Sequence, residues 1–473
     1  MRNQKIVIVG AGPAGTRAAA QLVKHGCNVT VIHEGPHCGG QIYRRQPVGF
    51  SRPAEKLYGS EAEKAKSLHR AFDDLKGKIT CLPDTTVWSI VGKELFLLGA
   101  EGIQTLGFDF LILATGAMDR VLPMPGWTLP GVFTLGAAQI ALKHQACAIG
   151  RNTAFVGTGP LLYLVAYQYL QAGAGVVGVF DTSNSGKKYL AVPMMLANPR
   201  ALKLGIQFRR ALRKGGVPIH EGIVPLGVVG QGAVSGIKWR NANDSVESKS
   251  CDAVAIGYGL KPESQLAELA GAKSRFDSAQ RIWTIVHDGE GRIAPGIYAA
   301  GDGVNIGGAD VAELLGEQAA WAVLKDMGQP VPPGRIRKIQ RQLSMQILFR
   351  RGLNAAFPVP VHQLQNLPDE TILCRCENVT VGDARKAIDL FRPTDLNRLK
   401  AYCRTGMGRC QGRVCGLATA EIMAHRLSLP IESVGYLRGQ SPIKPLAFSS
   451  AAVLADNELL DEIAEFHSPE RVR

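Results

Sequence analysis

Four cysteines, Cys374, Cys376, Cys410 and Cys415, have the type and spacing of metal ligands: C-x-C, an interval of 33 residues, then C-x4-C. Thiolates are soft donors, and four gathered in one small unit bind an iron–sulfur cluster or zinc. Zinc sites more often use C-x2-C at both ends, which favours the cluster and leaves zinc as the alternative. Gly406, Gly408 and Gly416 lie beside the second pair, where freed backbone N–H groups can donate to cluster sulfurs. Arg375, Arg404, Arg409 and Arg413 crowd the same loops and would offset a cluster's negative charge. Cys403 is a nearby extra thiol, read as a bystander that could exchange with Cys410.

A second set of residues is suited to phosphate. Gly10-Ala11-Gly12-Pro13-Ala14-Gly15 follows the apolar run Lys5 to Val9 and precedes an alanine-rich helix, and the next strand ends at Glu34. Gly10 permits the tight turn, Gly12 lets a pyrophosphate reach the helix N-terminus, and Gly15 lets helix and strand pack closely. Glu34 can accept from the adenosine ribose. Two later segments point to FAD as the nucleotide: Ala114-Thr115-Gly116 after a buried strand, and Gly301-Asp302 after Ile297-Tyr298-Ala299-Ala300. Asp302 is expected at the ribityl and pyrophosphate end, with a helix N-cap as its plainer role. Gly39, Gly40 and Gln41 are expected near the flavin ring.

The pattern recurs. Gly157-Thr158-Gly159-Pro160-Leu161-Leu162 follows another strand, and Asp181 ends the next one. Gly10 to Gly116 spans 106 positions and Gly157 to Gly257 spans 100, as for two Rossmann-like domains, one inserted in the other. Leu162 replaces the third glycine, so helix and strand are expected to pack less closely there. Asp181 predicts a ribose acceptor that favours NAD over NADP. The alternative is a vestigial or differently occupied site for another adenine nucleotide.

These residues need an α/β scaffold. A flavin domain is expected over residues 1–119 and 285–328, with an inserted NAD-like nucleotide-binding domain over 120–284. Residues 329–370 form a linker with a basic amphipathic helix, Arg335 to Arg351, whose stripe is Ile336, Ile339, Leu343 and Ile347. That helix packs on its own chain or docks a partner. Residues 371–428 form a small helical metal domain with helices at 380–391 and 394–402, and 429–473 are a C-terminal extension. Pro358 to Asp369 reads as a loop.

Composition narrows the function. The net charge is +14, yet the basic residues are scattered without an aromatic-interleaved module, which argues against nucleic acid. No stretch reaches the roughly 18 apolar residues of a membrane span. A strand begins within a few residues of Met1, leaving no room for a signal peptide, so ten cysteines imply a reducing cytoplasm, with peripheral membrane contact left open. No cysteine pair lies beside either nucleotide motif, which argues against disulfide chemistry; Cys38 reads as a small buried residue. His25, His33, His37 and His144 show no metal spacing, and no catalytic acid–base constellation is evident.

The order of motifs is more specific than any one of them. The C-x-C-x33-C-x4-C pattern with its TGMGRCQGRVC segment resembles the bacterioferritin-associated-ferredoxin-like (BFD-like) [2Fe-2S] domain. That domain after a two-dinucleotide flavoprotein resembles the α subunits of the opine oxidase, D-hydroxyproline dehydrogenase and hydrogen cyanide synthase family, as does the degenerate GTGPLL turn. The tail Arg438 to Leu446 is similar to those subunits and to sarcosine oxidase α chains. The resemblance implies FAD and a [2Fe-2S] cluster. It also implies an FAD-containing, amino-acid-oxidase-like β subunit that oxidises a CH–NH donor; a further option is a small ferredoxin-like γ subunit. Electrons then pass through this chain to a quinone or dye-like acceptor, which would bring peripheral contact with a respiratory membrane. The competing readings are a stand-alone NAD(P)H-dependent flavin and iron–sulfur reductase and a non-enzymatic adaptor.

Overall fold

The computed structural model describes residues 4–47, 49–50 and 52–447; residues 448–473 of the expected C-terminal extension lie outside it. The short β-branched run Ile6–Val9 is buried along its whole length, as a central parallel strand covered on both faces requires. It lies in a six-stranded sheet of order Arg292–Ala294, Ile297–Ala299, Phe110–Leu113, Ile6–Val9, Val29–Ile32 and Thr80–Leu82. Ile6 pairs in parallel with both Val29 and Phe110. Pro13 opens the helix Pro13–Lys24, where its missing N–H costs nothing. Small residues let this helix press on the helix Ala309–Asp326: a Cβ on Gly316 would lie 2.1 Å from the Ala14 carbonyl oxygen.

The inserted domain repeats the plan. Its five strands are parallel, in the order Ile219–Glu221, Gly175–Asp181, Asn152–Gly157, Ala253–Gly257 and Val132–Thr134. Each copy carries an antiparallel three-stranded meander, Thr86–Val91 to Gly102–Gly107 in one and Val224–Val229 to Val246–Ser250 in the other. The chain crosses between the copies through the paired strands Ala117–Asp119 and Leu260–Pro262. The return falls earlier than residue 284, because Leu266, Ala267 and Ala272 pack with Val87, Ile90 and Ile297 of the first copy.

One helix, Pro333–Ala356, occupies the linker and is longer than the expected Arg335 to Arg351. Ile339 is fully buried, and Ile336 and Leu343 pack on the core of the first copy, while Ile347 is exposed. The C-terminal half lies on the helix Ser185–Met195, where a Cβ on Gly352 would stand 2.9 Å from Met195. The expected loop at 358–369 contains a short helix, His362–Gln365.

The small domain pairs Ile372–Cys374 with Val379–Thr380 and adds the helices Val381–Phe391, Leu396–Cys403 and Gly416–Leu427. Thr380 and Asp383 form a reciprocal capping box, and Asp395 caps the next helix. Its core is continuous with that of the inserted domain, and Trp127 Nε1 donates to the Ile372 carbonyl at 2.6 Å. Among the described residues, no helix is long and apolar enough to cross a membrane.

Candidate functional site

Around the first motif, close backbone approach dictates the residue types. Gly10 adopts φ 113°, and a Cβ there would lie 2.2 Å from the Ala114 carbonyl oxygen. A Cβ on Gly15 would lie 1.8 Å from the Gly10 carbonyl oxygen. Gly12 precedes the helix with no side chain capping it, so the first N–H groups remain available to a phosphate. Gly40 faces it, and a Cβ on Gly40 would stand 2.9 Å from the Gly12 Cα. Gly301 lies against Ala14, and one Asp302 oxygen accepts from the N–H groups of Gly307 at 2.8 Å and Gly308 at 2.9 Å. Gly10, Gly12, Ala14, Gly15, Gly40, Gly301 and Asp302 thus gather about one helix N-terminus, and Thr115 and Gly116 lie against Gly303 beside it. This bare, glycine-lined cradle has the shape and polarity that a dinucleotide pyrophosphate needs. Glu34, two residues past the second strand, is exposed, with Lys444 Nζ 3.3 Å from its Oε1. Gln41 is exposed, and its side-chain carbonyl accepts from Arg44 Nη2 at 2.7 Å.

The second motif differs. Gly157 repeats the positive φ of Gly10, at 141°, but Gly159 adopts φ 103° where Gly12 has −80°, and Leu162 fills the core in place of a glycine. Asp181 ends its strand as the spacing predicts, but its exposure is 0% and both carboxylate oxygens are bonded inside the chain. The oxygens with which Asp181 was expected to accept from a ribose are held by Lys188, Tyr163 and Ser183.

The four predicted thiols converge as two contacting pairs, Cys374 with Cys415 and Cys376 with Cys410. Cys374 and Cys415 are buried, while Cys376 and Cys410 are half-buried. The Cys415 thiol bonded to it, together with backbone N–H donors at Gly406, Glu377 and Cys376, holds Cys374 down at about 5 despite its burial. That contact and burial push Cys415 up. Two pairs suit two irons, each taking two thiolates, better than one tetrahedral ion. As they stand, no group of three or more His, Cys, Asp or Glu side chains among the described residues could hold a single metal ion. Cys403 is turned elsewhere, its Sγ 3.4 Å from the Leu399 carbonyl and 3.1 Å from Thr405 Oγ1. Three of the four arginines are engaged: Arg375 lies over the Trp127 ring, Arg404 pairs with Glu377 and Arg413 with Glu263.

That last pair joins the two sites. Thr115 Oγ1 donates to the Glu263 carbonyl at 2.6 Å, and the Glu263 N–H donates to the Gly116 carbonyl at 3.0 Å. The Glu263 carboxylate takes a two-pronged bond from Arg413, at 2.9 and 3.0 Å, within the Cys410–Cys415 loop. Burial alone would raise the Glu263 carboxyl, but Arg413 carries it below the ordinary range. Arg413 Nη1 also donates to the Ile443 carbonyl at 2.7 Å, beside Lys444. The sequence alone marks neither Glu263 nor a role for Lys444 beyond its place in the tail. Each has a partner more than a hundred positions away, so no local spacing marks it.

Residues 4–319 match the family described as "Pyridine nucleotide-disulphide oxidoreductase", and residues 372–425 match the "BFD-like [2Fe-2S] binding domain". The chain is 36% identical over 466 residues to an opine oxidase subunit of Rhizobium meliloti, covering 95% of this chain and 87% of that one. It is 30% identical over 460 residues to hydrogen cyanide synthase subunit HcnB of Pseudomonas aeruginosa, covering 95% and 98%. Among solved structures, L-proline dehydrogenase from P. horikoshii shares the fold, with a TM-score of 0.68 and 20% identity over 94% of this chain and 79% of that chain.

Proposed function

Because the chain belongs to the pyridine nucleotide-disulphide oxidoreductase family and carries a BFD-like [2Fe-2S] domain over residues 372–425, we propose that it is the electron-transferring subunit of a multi-subunit amino- or imino-acid dehydrogenase. The donor's CH–NH group is oxidised on an FAD-containing, amino-acid-oxidase-like β subunit, and a quinone or dye-like acceptor takes the electrons. A small ferredoxin-like γ subunit fits the same assembly. When bound, FAD exchanges electrons in pairs or singly and the cluster exchanges them singly.

The observation that carries the reading is the seam at Glu263. Its backbone is bonded to Thr115 and Gly116 and its carboxylate to Arg413, so one residue fixes the thiol loop to the strand end of the flavin motif. Gly10, Gly12, Ala14, Gly15 and Gly40 would hold the pyrophosphate, Glu34 the adenosine ribose, and Thr115, Gly116, Gly301 and Asp302 the ribityl end. Gln41 would reach the ring only after releasing Arg44. Cys374, Cys376, Cys410 and Cys415 would bind the irons.

Co-expression with an amino-acid-oxidase-like flavin subunit provides the test. The expected product is a complex whose visible absorbance bleaches anaerobically with an amino or imino acid, while this chain alone does not respond. Purified chain that contains flavin but no iron or labile sulfide would overturn the assignment.

A further inference from the structure

The repeat allows two equivalent positions to be compared within one molecule. Glu34 and Asp181 each lie 24 positions after the first glycine of a dinucleotide motif, Glu34 two residues past the strand Val29–Ile32 and Asp181 at the end of Gly175–Asp181, where an acid ordinarily accepts from the adenosine ribose. Glu34 has a side chain 56% exposed and one cation at 3.3 Å, whereas Asp181 is enclosed. Asp181 Oδ2 accepts from Tyr163 Oη and Lys188 Nζ, each at 2.6 Å. Oδ1 accepts from the Ser183 N–H at 2.9 Å and Ser183 Oγ at 2.8 Å. A carboxylate has about four acceptor positions, and all are filled.

The network closes on itself. Lys188 Nζ also bonds Glu221 Oε1, while Glu221 Oε2 accepts from Ser185 Oγ at 2.9 Å and Arg209 Nη2 at 2.8 Å. Two carboxylates therefore face two cations, and the Phe357 ring covers Lys188 Nζ at 5.1 Å. The turn is covered too: Gly157, Thr158 and Gly159 are all buried, whereas Gly12 in the first copy is half-buried. Lys188 lies on the helix Ser185–Met195, which the helix Pro333–Ala356 braces at Gly352, so the seal is part of the packed fold. A ribose could reach Asp181 only by displacing one of these donors, and Lys188 is the charged one: moving it leaves its ammonium buried without that partner.

We infer that Lys188 seals the second dinucleotide fold, so that this chain takes no hydride from NADH or NADPH. Building on the proposed function, the inference leaves the partner's flavin as the route by which electrons enter, despite the reference to pyridine nucleotide in the family's name. The test is anaerobic titration of the flavin-loaded chain with NADH, then NADPH, to about 1 mM, the top of the common KM range. Flavin absorbance and binding heat are followed, and dithionite serves as the control for reducibility. No bleaching and no saturable heat are expected from the wild type; either one overturns the inference. Lys188→Ser, melting within a few degrees of wild type, should bind NADH at least tenfold more tightly. A well-folded variant that stays silent removes Lys188 as the barrier, and if the variant does not fold, the wild-type titration decides alone. Absence of flavin from the purified protein would instead sink the proposed function, and calorimetry with NADH would still test the seal.

Discussion

Cys374 and Cys415 are buried thiols in contact, and Cys403, 12 positions before Cys415, is bonded to its own helix and Thr405. Cys374→Ser or Cys415→Ser should therefore abolish most of the bound iron and labile sulfide, whereas Cys403→Ser should keep both; colorimetric iron and sulfide assays separate the two outcomes. Lys143 offers a pH test. It is 3% exposed, its Nζ donates to the Ile42 carbonyl at 3.0 Å, and burial pushes its ammonium down to about 7. The unfolded chain then holds a proton that the folded one lacks between about pH 7 and the ordinary lysine range, so folding stability gains from rising pH in that window. The gain is at most about 1.4 kcal/mol per pH unit, and Lys143→Met should remove it from denaturant curves taken across the window. Glu221 acts in the same direction but at lower pH. Its burial would raise it, but Lys188 and its other partners hold it below the carboxylate range. That contribution is full above the ordinary carboxylate pKa and is lost as pH falls through the depressed value. Residues that belong to a compact local motif, such as Gly10, Gly15 and the C-x4-C pair, were legible in the sequence. Lys188 was not: it follows Asp181 by seven positions, but no local spacing shows that its helix turns the ammonium back onto the strand end, and its other partner Glu221 lies 33 positions away.

At the level of elements, the repeated strand–turn–helix units were legible because apolar runs and glycines adjoin. The helix Gly416–Leu427 was not among the expected helices, since Cys410–Cys415 reads as a terminus and masks the apolar Ala418, Ile422 and Met423 that bury it. The stripe on Pro333–Ala356 was only partly right: Ile339 is buried, but Ile347 is exposed because the helix changes neighbours along its length. The seam between domains was not legible at all, as Glu263 and Arg413 are 150 positions apart. Removing Arg413 leaves a largely buried carboxylate without its charge partner, and removing one partner of such a pair typically costs about 3–5 kcal/mol. Arg413→Ala should thus lower the melting temperature of the whole chain, Arg413→Lys should restore part of it, and a Glu263→Gln, Arg413→Ala double-mutant cycle should show strong coupling. A milder change acts on the first turn: Gly15→Ala puts a methyl group against the Gly10 carbonyl and should cut the flavin-to-protein absorbance ratio.

For the molecule as a whole, the proposed assembly predicts that amino-acid oxidation appears only when the flavin partner is present and disappears on dissociation, measurable as dye reduction before and after size-exclusion separation. The internal geometry bears on how such a machine would be timed. The helix Pro333–Ala356 begins against the first domain, ends against the second and is followed by a domain whose core continues that of the second, with Trp127 bonded across the join. It is a strut rather than a tether. Many relay proteins swing a carrier domain through solvent, and their turnover slows as the medium thickens. Here the separation between the nucleotide cradle and the thiol pairs is fixed by packing, so electron exchange between them should be indifferent to added glycerol. Viscosity should register only where a separate molecule has to arrive or leave.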